Sequence, residues 1–492
     1  MGLFAGARLQ PRWAVEAFAR VAASEFAEIA LIAAGPESAR RPPWWRRLYG
    51  ALDRSAFGVA ADREEGIDLA RHVPHLHFRS EFDPPAHLAH DLDVAFALGE
   101  FEDARLDGIA RDGVWRFCFA EGDPLTGSGL TARLVAGGTP RLAYQSWSRT
   151  YTLSVARDRD QLFAKSAEFA LRALRELHRS GRGWLEQCPP ANGMSTSVSR
   201  EQPLAPILRR VARRAIEKAL HIEQWSLAFR FQDAETPPAD LAGYARLVPP
   251  RDRDWADPFA IEKNGRYFVF FEELPYAARK AHIAMTEVRR DGSWTSPVRV
   301  LERDYHLSYP FVFQHEGELY MIPETGANAT VELYRCADFP LRWKLERVLL
   351  EGIRLVDATL HRSADRWWMF ANGAAGRVFD DELHLFHADR LLGEWRAHQR
   401  NPVKSDARCA RPAGRLYWRN GALHRPAQIC VPRYGAGLSM NRVLQLTPQV
   451  YAERQVGRVL PDAGRGILGV HTLNRAGELS VVDAFTRRRR FA

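Results

Sequence analysis

Short apolar strands and aromatic-rich strands alternate in a repeating pattern through the second half of the chain. The pattern is clearest in WADPFAIEKNGRYFVFFEE (Trp255–Glu273), SYPFVFQHEGELYMIPET (Ser308–Thr325) and VDATLHRSADRWWMFANG (Val356–Gly373). Each segment runs through a short apolar strand to a Gly or Asp turn, and then through an aromatic strand that ends in Glu or Asn. Two looser copies follow at Ala410–Cys430 and Gly469–Phe485. A repeat of about fifty residues is typical of a propeller, because one unit cannot bury its own apolar face. Five units of four short strands predict a five-bladed β-propeller.

A propeller must close its ring. The last unit ends at Phe485 with only an innermost and a second strand. The segment WSLAFRF (Trp225–Phe231), just before the first unit, has the alternation of a strand. We therefore predict that this segment completes the last blade, which removes exposed strand edges.

The first part of the chain has the pattern of an α/β domain. Helical spacing marks Trp13–Ala23 and Ser166–Leu177. Buried-strand runs mark Glu28–Ala34, Asp93–Leu98 and Val114–Phe119. Alternation of strands with helices predicts a parallel or mixed sheet.

A polar, turn-rich stretch separates the two parts. Cys188–Gln202 has the composition of a linker. The spacing of apolar residues in Leu204–Ile222 predicts an amphipathic helix. This helix either docks one domain on the other or touches a membrane with its arginine-rich face. The predicted organisation is an α/β domain at 1–187, a linker and helix at 188–224, the propeller at 225–486 and a basic tail at 487–492.

Composition narrows the cell compartment and the partners. The chain has 492 residues, 46% of them apolar, and no apolar run of the roughly 18 residues that span a bilayer. The N-terminus lacks the pattern of a signal peptide. Five scattered cysteines without CxxC spacing predict reduced thiols and a cytoplasmic location.

The net charge of +9 comes mainly from dispersed arginines, with only six lysines among 69 basic residues. Local basic clusters occur around Trp44 and Trp45, near Arg209 to Lys218, and at Arg487 to Arg490. No recognition helix, RNP-like strand or zinc finger accompanies them, so nucleic acid is not the expected partner.

The repeats also predict where a ligand binds. The first strand of each blade lines the central shaft, and ligands bind at one of its mouths. Alignment of the five units places these residues at equivalent inner-strand positions: Asp257, Tyr309, Asp357, Arg411 and His471. The ends of the second strands add Glu272, Glu273, Glu324, Asn372, Gln428 and Asp483. Charged groups are rarely buried unless paired or functional, so this set favours a site over packing alone.

Carboxylates that face each other across a cleft suit glycoside chemistry. One stays protonated and donates to the leaving oxygen, while the other is ionised and activates water or attacks carbon. Asp257, Glu324 and Asp357 are the candidate catalytic residues. The candidate substrate-binding residues are Tyr309, Glu272, Asn372, Arg411, Gln428 and His471. The alternative is structural, since an Asp at the head of a strand often caps a turn.

The same motifs resemble known families. Asp257-Pro258 followed by Gly265-Arg266-Tyr267 resembles the first blade of the five-bladed glycosidases of families 43, 62 and 117. The blade motifs, together with NPVKSDARCARPAG and GVHTLN, are more closely similar to the propeller at the N-terminus of plant glucosamine inositolphosphorylceramide transferases, a domain that bacterial proteins share. The resemblance covers Trp225 to Phe485.

The resemblance implies the propeller and its sugar site, and it does not extend to the transferase activity. Transfer in the plant enzymes is assigned to a separate glycosyltransferase domain, which we do not expect after Phe485. Asp257 matches the general base of the family-43 pattern, and Asp357 or Glu324 would take the positions of its pKa-tuning aspartate and acid glutamate. The second blade has Tyr309 in place of an aspartate, and the third blade lacks the Glu-Gly-Pro signature.

The first domain is weakly similar to the formyltransferase fold. The matching stretches are PRWAVEAFARVAASEFAEIALIAA and DGVWRFCFAEGDP. Active members need an Asn, a His and an Asp, whereas here no Asn-x-His precedes VWRFCF, and Cys118, Phe119 and Ala120 fill the polar stretch. The resemblance thus implies a degenerate domain that has lost formyl transfer.

Neither a cofactor nor a metal is expected, because the chain has no GxGxxG, no P-loop and no nucleophile elbow. The sequence therefore predicts a carbohydrate-active or glycan-binding protein whose ligand is a sugar or glycoconjugate. The alternative is a non-catalytic scaffold or sugar-recognition module. No transmembrane segment is expected, and a peripheral membrane contact stays open.

Overall fold

The computed structural model divides the chain into two compact units, Met1–Ile207 and Leu208–Ala374 with Val378–Ala492. The residues that the structure describes are 1–35, 44–59, 63–73, 77–79, 91–99, 106, 108–120, 130–136, 140–151, 153–191, 204–232, 240–374, 376, 378–462, 464 and 466–491. Most of the predicted linker lies outside these ranges. No helix among them is long and apolar enough to cross a membrane. The five cysteines, which all lie within these ranges, form no disulfide, and the cytoplasmic location stays a prediction.

The first unit contains a seven-stranded mixed sheet, which confirms the predicted α/β class. In spatial order its strands are His77–Arg79, Leu31–Ala34, Gly2–Ala5, Ala95–Leu98, Val114–Ala120, Leu130–Ala136 and Arg141–Ser148. The first five strands run parallel and the last two antiparallel. A small hairpin pairs Leu9–Pro11 with Gly66–Asp68.

Five helices accompany this sheet. They are α1 (Arg12–Ala22), α2 (Trp44–Phe57), α3 (Leu69–His72), α4 (Val155–Ser180) and α5 (Arg182–Gln187). The Ser154 hydroxyl caps α4 by accepting a hydrogen bond from the amide of Arg157, and Gly181 ends it at a φ of 66°. Trp13 of α1 stacks on Phe163 of α4 at 5.6 Å between ring centroids, so these two helices share one core.

The second unit is a five-bladed β-propeller, as predicted. Blade 1 consists of Arg253–Lys263, Arg266–Pro275, His282–Val288 and Val298–Leu301. Blade 2 consists of Ser308–His315, Glu318–Glu324, Thr330–Asp338 and Arg342–Glu351, with a 3-10 turn at Gly326–Asn328. Blade 3 consists of Val356–Arg362, Trp367–Gly373, Glu382–Ala388 and Arg396–Ala397, with Lys404–Ser405 beside its third strand. Blade 4 consists of Tyr417–Arg419, Ala422–Ile429, Gly437–Leu446 and Tyr451–Val459.

Blade 5 closes the ring with strands from both ends of the propeller. Its inner segments are Ile467–Gly469 and Leu473–Ala476, and its second strand is Leu479–Arg489. His221–Phe231 pairs along that whole second strand, and Ala245–Leu247 lies outside it. The predicted closure is therefore confirmed, and the N-terminal segment supplies two strands instead of one. The second strand continues to Arg489, so most of the expected basic tail belongs to this blade.

A sixth helix, α6 (Leu204–Leu220), leads directly into the closing strand. This confirms the predicted helix. The guanidinium group of Arg214 pairs with Glu223 at the start of that strand, and Arg487 of the neighbouring strand bonds to the same carboxylate at 2.9 Å. The end of the helix is thus tied to the closed blade.

The closing strand should contribute to the stability of the propeller. Leu227 is buried against Val481 and Leu479, so Leu227→Ala should lower the free energy of unfolding by about 2–5 kcal/mol. The matched control is Leu345→Ala on the outer strand of blade 2, where the side chain is 49% exposed and the cost should stay within about 0.5 kcal/mol. Denaturant unfolding of the full chain measures both. Equal costs for the two variants would contradict the closure.

Candidate active site at the mouth of the shaft

The inner strands of the first three blades share an irregularity. Each has a register shift, and the shifts include Asp257, Tyr309 and Asp357. These residues adopt left-handed backbone conformations, with φ angles of 51°, 44° and 55°. A residue other than glycine in this region costs on the order of 1 kcal/mol, and such strain concentrates at functional sites. These three positions read from the sequence repeat are thus structurally equivalent, whereas Arg411 and His471, aligned with them, lie outside the inner strands of blades 4 and 5.

Asp257 belongs to a buried ion cluster between blades 1 and 5. His471 Nε2 lies 3.1 Å from Asp257 Oδ1, and its Nδ1 lies 3.0 Å from Asp483 Oδ2. The Thr472 hydroxyl donates to the same Asp257 Oδ1 at 2.7 Å. Among the described residues, Oδ2 of Asp257 accepts no hydrogen bond. Asp483 also accepts from the backbone amides of His471 and Thr472, so it holds this segment in place.

The carboxylate and the imidazole of this cluster carry opposite charges at neutral pH. Burial alone would lower the pKa of His471, but the carboxylates of Asp483 and Asp257 outweigh it and raise that pKa to about 10. Burial would raise the pKa of Asp257, but the charge and hydrogen bond of His471, with that of Thr472, lower it. Asp257 is therefore ionised and His471 protonated at neutral pH.

Asp357 of blade 3 is held by a second cluster. The Arg411 guanidinium donates to both oxygens of Asp357, at 2.5 and 3.3 Å. Gln428 donates to Asp357 Oδ2 at 2.9 Å, and Asp380 lies 3.4 Å from Arg411. Asp357 is 1% exposed, and this burial raises its pKa although the two-pronged pair with Arg411 opposes the shift. Asp357 and Gln428 therefore lie beneath the mouth, whereas Arg411 is partly exposed.

Glu272, His306 and Glu324 lie nearer the solvent, and the first two of them form a pair. Glu272 Oε1 and His306 Nε2 are 3.2 Å apart, and both side chains are accessible to some degree. Burial raises the pKa of Glu272 against the opposing effect of His306. Burial would lower the pKa of His306, but Glu272 raises it. The two groups form a proton-sharing pair at the rim.

Glu324 differs from every other predicted carboxylate in this site. It is partly exposed, and among the described residues its carboxyl group forms no hydrogen bond or ion pair. Burial, reinforced by the negative charge of Asp357, raises its pKa to about 8, although Arg411 and His306 oppose the shift. Glu324 is consequently protonated at neutral pH, within the electrostatic reach of an ionised Asp257.

The floor beneath these charges is built from all five blades. The buried Tyr309 hydroxyl bonds to Thr359 Oγ1 at 2.9 Å and accepts from the amide of Gly414 at 2.6 Å. The Asn474 amide donates to the carbonyl of Pro258 at 2.8 Å. Blades 2, 3 and 4 are thus joined across the shaft, and blade 5 is joined to blade 1. Tyr309 is 0% exposed, so it supports the site from below and does not line it, in contrast to its predicted contact with substrate.

Three other predicted residues also lie outside the accessible part of the site. Asn372 is completely buried and donates to the carbonyl of Gly373. Glu273 points to the opposite face from Glu272, because successive strand residues alternate, and bonds to Trp255 and His282. Asp483 supports His471 from within the blade.

An aromatic wall completes the mouth on the side of blades 4 and 5. The Tyr434 ring lies 5.0 Å from the His471 ring, and the Arg411 guanidinium lies 5.0 Å from the same tyrosine. Trp225 packs edge-on against His471 at 4.2 Å. Sequence reasoning did not assign Tyr434, Trp225 or His306 to the site. His306 stands three residues before Tyr309, so the extension of the inner-strand alignment toward the N-terminus would have found it.

Asp257, His471 and Asp483 also have the composition of a metal site, with donor atoms within 4.8 Å of one another. A metal requires a neutral imidazole. Here both ring nitrogens face carboxylates and the histidine holds its proton to about pH 10. In this structure the trio forms an ion-paired histidinium.

Comparison with known proteins identifies the domain. Residues 252–477 match the family model described as glucosamine inositolphosphorylceramide transferase 1, N-terminal. This match covers most of the propeller, which is therefore similar to that domain. The chain is 35% identical over 216 residues to the glucosamine inositolphosphorylceramide transferase 1 of Oryza sativa subsp. japonica, and 31% identical over 216 residues to that of Arabidopsis thaliana. Each match covers 43% of this chain, but 29% and 28% of the plant proteins. The matched segment thus spans less than a third of the length of these relatives.

Solved structures with a similar fold include two glycosidases. Zg3597, a family 117 glycoside hydrolase from Zobellia galactanivorans, is 12% identical with a TM-score of 0.36, over 54% of this chain and 90% of its own. The catalytic domain of the Coprinopsis cinerea GH62 alpha-L-arabinofuranosidase is 12% identical with a TM-score of 0.36, over 52% and 97% of the two chains. The family match lies in the propeller, and the formyltransferase likeness of the first unit stays a prediction.

The raised pKa of Glu324 predicts a pH-dependent stability. Its pKa in the folded protein, about 8, exceeds the ordinary value of 4.5, so wild-type stability should fall as pH rises from about 4.5 to 8. Glu324→Gln removes this loss. The variant should gain on wild type by at most about 1.4 kcal/mol per pH unit across that range. Denaturant unfolding at several pH values measures the difference, and a constant difference would show that Glu324 is ionised at neutral pH.

His471 predicts the opposite trend. Its pKa is raised from 6.5 to about 10, so its ion pairs stabilise the fold fully below about pH 6.5 and lose that effect as pH rises through 10. His471→Gln should therefore cost most at low pH and progressively less toward pH 10. The same unfolding series tests this. A cost that grows with pH would mean that the imidazole is neutral in the folded protein.

Proposed function

We propose that the propeller binds a sugar of a glycoconjugate at the mouth of its shaft and acts on a glycosidic bond, with Glu324 as general acid and Asp257 as general base. The observation that carries this proposal is the opposite protonation of two neighbouring carboxyl groups. Glu324 keeps its proton to about pH 8, while the pKa of Asp257 is lowered. Titratable groups whose environments push their pKa values apart are the mark of acid–base catalysis.

The family and the chemistry of the mouth support a carbohydrate-related function. The domain family is named for an enzyme of glycolipid synthesis. At the rim, Glu272, His306 and Arg411 offer hydrogen-bonding groups of the kind that fix sugar hydroxyls. Tyr434 is partly exposed beside them and offers a ring face on which a sugar can stack.

Each catalytic group has a defined task in this proposal. The Glu324 carboxyl group donates its proton to the leaving oxygen of the glycosidic bond. Asp257 Oδ2, which accepts no hydrogen bond among the described residues, takes the proton of the attacking hydroxyl, while Oδ1 is held by His471 and Thr472. Asp357 is not a proton donor here, because Arg411 and Gln428 occupy it. Its charge instead helps to keep Glu324 protonated.

The acceptor hydroxyl defines the reaction. Water gives hydrolysis, and a hydroxyl of a second sugar or lipid gives transfer, with the same acid and base. The plant relatives are named as transferases. Because the matched segment spans less than a third of their length, transfer by this chain rests on its own site and not on theirs.

A second candidate function is sugar recognition without turnover. The observation that favours it is the burial of the proposed base, since Asp257 is 4% exposed and one of its oxygens already binds two donors. A carboxylate held in this way serves equally well to fix the groups that bind a sugar or to activate a nucleophile. Either function is independent of nucleic acid, whose absence as a partner stays a prediction.

Removal of charge at constant volume separates the two functions. Asp257→Asn and Glu324→Gln should each lower turnover of a cleaved glycoside by about 10²–10⁴-fold, the usual contribution of an acid–base group. In a recognition site the same changes should weaken binding by about 1–3 kcal/mol, the scale of a lost charged hydrogen bond. The assay combines turnover with calorimetric binding on a panel of amino-sugar and uronic-acid glycosides.

The chain offers a matched control. Glu318 begins the strand that ends at Glu324, and it is exposed at the far end from the mouth. Glu318→Gln should change neither turnover nor binding. Binding by wild type without any turnover would overturn the catalytic proposal in favour of recognition. Turnover that survives in both site variants would show that other carboxyl groups perform the chemistry.

A further inference from the structure

Helix α2 of the first unit presents an apolar surface to solvent. Trp44, Trp45, Leu48 and Leu52 are 75%, 39%, 54% and 61% exposed. Residues 44, 48 and 52 follow one another at intervals of four, and residue 45 lies beside them on the helix, so the four side chains form one continuous stripe. We call this stripe the α2 face. Monomeric proteins rarely expose large apolar side chains in such a contiguous group.

The opposite side of α2 is anchored to the first unit. Asp53 is 6% exposed, and its Oδ2 accepts a hydrogen bond from the amide of Ala156 at 2.8 Å. The Arg157 guanidinium donates to the carbonyl of Phe57 at 3.1 and 2.9 Å. These bonds tie α2 to the start of α4 and fix which side of the helix faces outward. The α2 face therefore points away from the first unit.

The acidic and basic side chains of α2 lie on different sides of the helix. Asp53 is the only acidic residue in Trp44–Phe57, and it points inward. Arg47 is exposed beside the α2 face, and among the described residues its guanidinium has no carboxylate partner. Arg54 lies one helical repeat further along the same edge. The exposed side of the helix thus combines indole rings and leucines with the exposed Arg47, whereas Arg54 is half-buried and has a partner, and the one acidic residue of the helix points inward.

We propose that the α2 face docks on the surface of an anionic lipid bilayer. Tryptophan favours the interface between headgroups and acyl chains, and leucine side chains bury themselves just beneath it. Arginine at the edge of such a helix attracts anionic headgroups while its aliphatic stem lies along apolar surface. The net charge of +9 strengthens the attraction. Because no described helix can span a bilayer, the proposed contact is peripheral.

Helix α6 lacks this combination, although the sequence suggested it for a membrane contact. It exposes Ile216 and Leu220, at 60% and 51%. Two of its arginines are paired, Arg213 with Glu217 at 3.1 Å and Arg214 with Glu223, whereas Arg209 and Lys218 are exposed. Because α6 exposes apolar and basic residues but has no indole ring, it is the matched control for the tryptophans of α2.

The test uses flotation of the full chain with vesicles of phosphatidylcholine, with and without phosphatidylserine. We expect wild type to float with the phosphatidylserine vesicles at low salt and to be released by high salt, because surface electrostatics are screened. Leu48→Gln with Leu52→Gln should lower the bound fraction at least tenfold. Arg47→Gln should weaken binding to phosphatidylserine vesicles only. Ile216→Gln with Leu220→Gln should bind as wild type does.

Circular dichroism and thermal unfolding verify that each variant folds, which is expected because every substituted side chain is exposed. As a second readout, a dye attached to Leu52→Cys should shift its emission to the blue when phosphatidylserine vesicles are added. Failure of wild type to float, or equal loss in the α2 and α6 variants, would overturn the proposal. Self-association that the α2 substitutions abolish, without vesicle binding, would assign the α2 face to a second copy of the chain. The proposal is independent of the propeller site, so activity measurements do not affect its outcome.

Discussion

The closure of the propeller ring is the constraint on which the rest of the site depends. His221–Phe231 pairs with Leu479–Arg489 over their entire length, and this pairing fixes blade 5 against blade 1. His471 and Asp483 belong to blade 5, whereas Asp257 belongs to blade 1. The ion cluster that sets the charge of Asp257 therefore exists only in the closed ring. The charge state of the candidate site and the stability of the propeller are thus linked through the same strand pair.

Burial and the neighbouring charges then decide the protonation of each carboxyl group. Asp257 and Asp357 each have a cationic partner, so their charges are compensated in a low-dielectric environment. Glu324 lies in the same field and has no such partner, so it accepts a proton instead. The division between ionised and neutral carboxyl groups follows from the distribution of two cations, Arg411 and His471.

The sequence repeat predicted the blades, the closure and the equivalence of Asp257, Tyr309 and Asp357, because the first three blades repeat the same local bulge. It could not predict which of these residues remain accessible. Tyr309 aligns with Asp257 and Asp357, yet its ring fills the shaft, where its hydroxyl accepts from the amide of Gly414. That contact joins residues 105 apart, and no local pattern encodes it. Tyr434 was missed for the same reason, since it lies on a loop between strands and reaches the site only through the tertiary fold.

The floor of the site depends on a close backbone approach at Gly414. Gly414 has a φ of 132°, and a Cβ atom there would lie 2.0 Å from the carbonyl oxygen of Leu473, so only glycine allows the close approach that seals the shaft. Beneath the charged layer, Tyr309 and Asn474 then bridge between blades. The charged layer therefore rests on buried hydrogen bonds that join different blades. Among the described residues of this layer, Glu324 is the acid without a hydrogen-bond or ion-pair partner, and it lies on the partly exposed side, where burial keeps its proton in place.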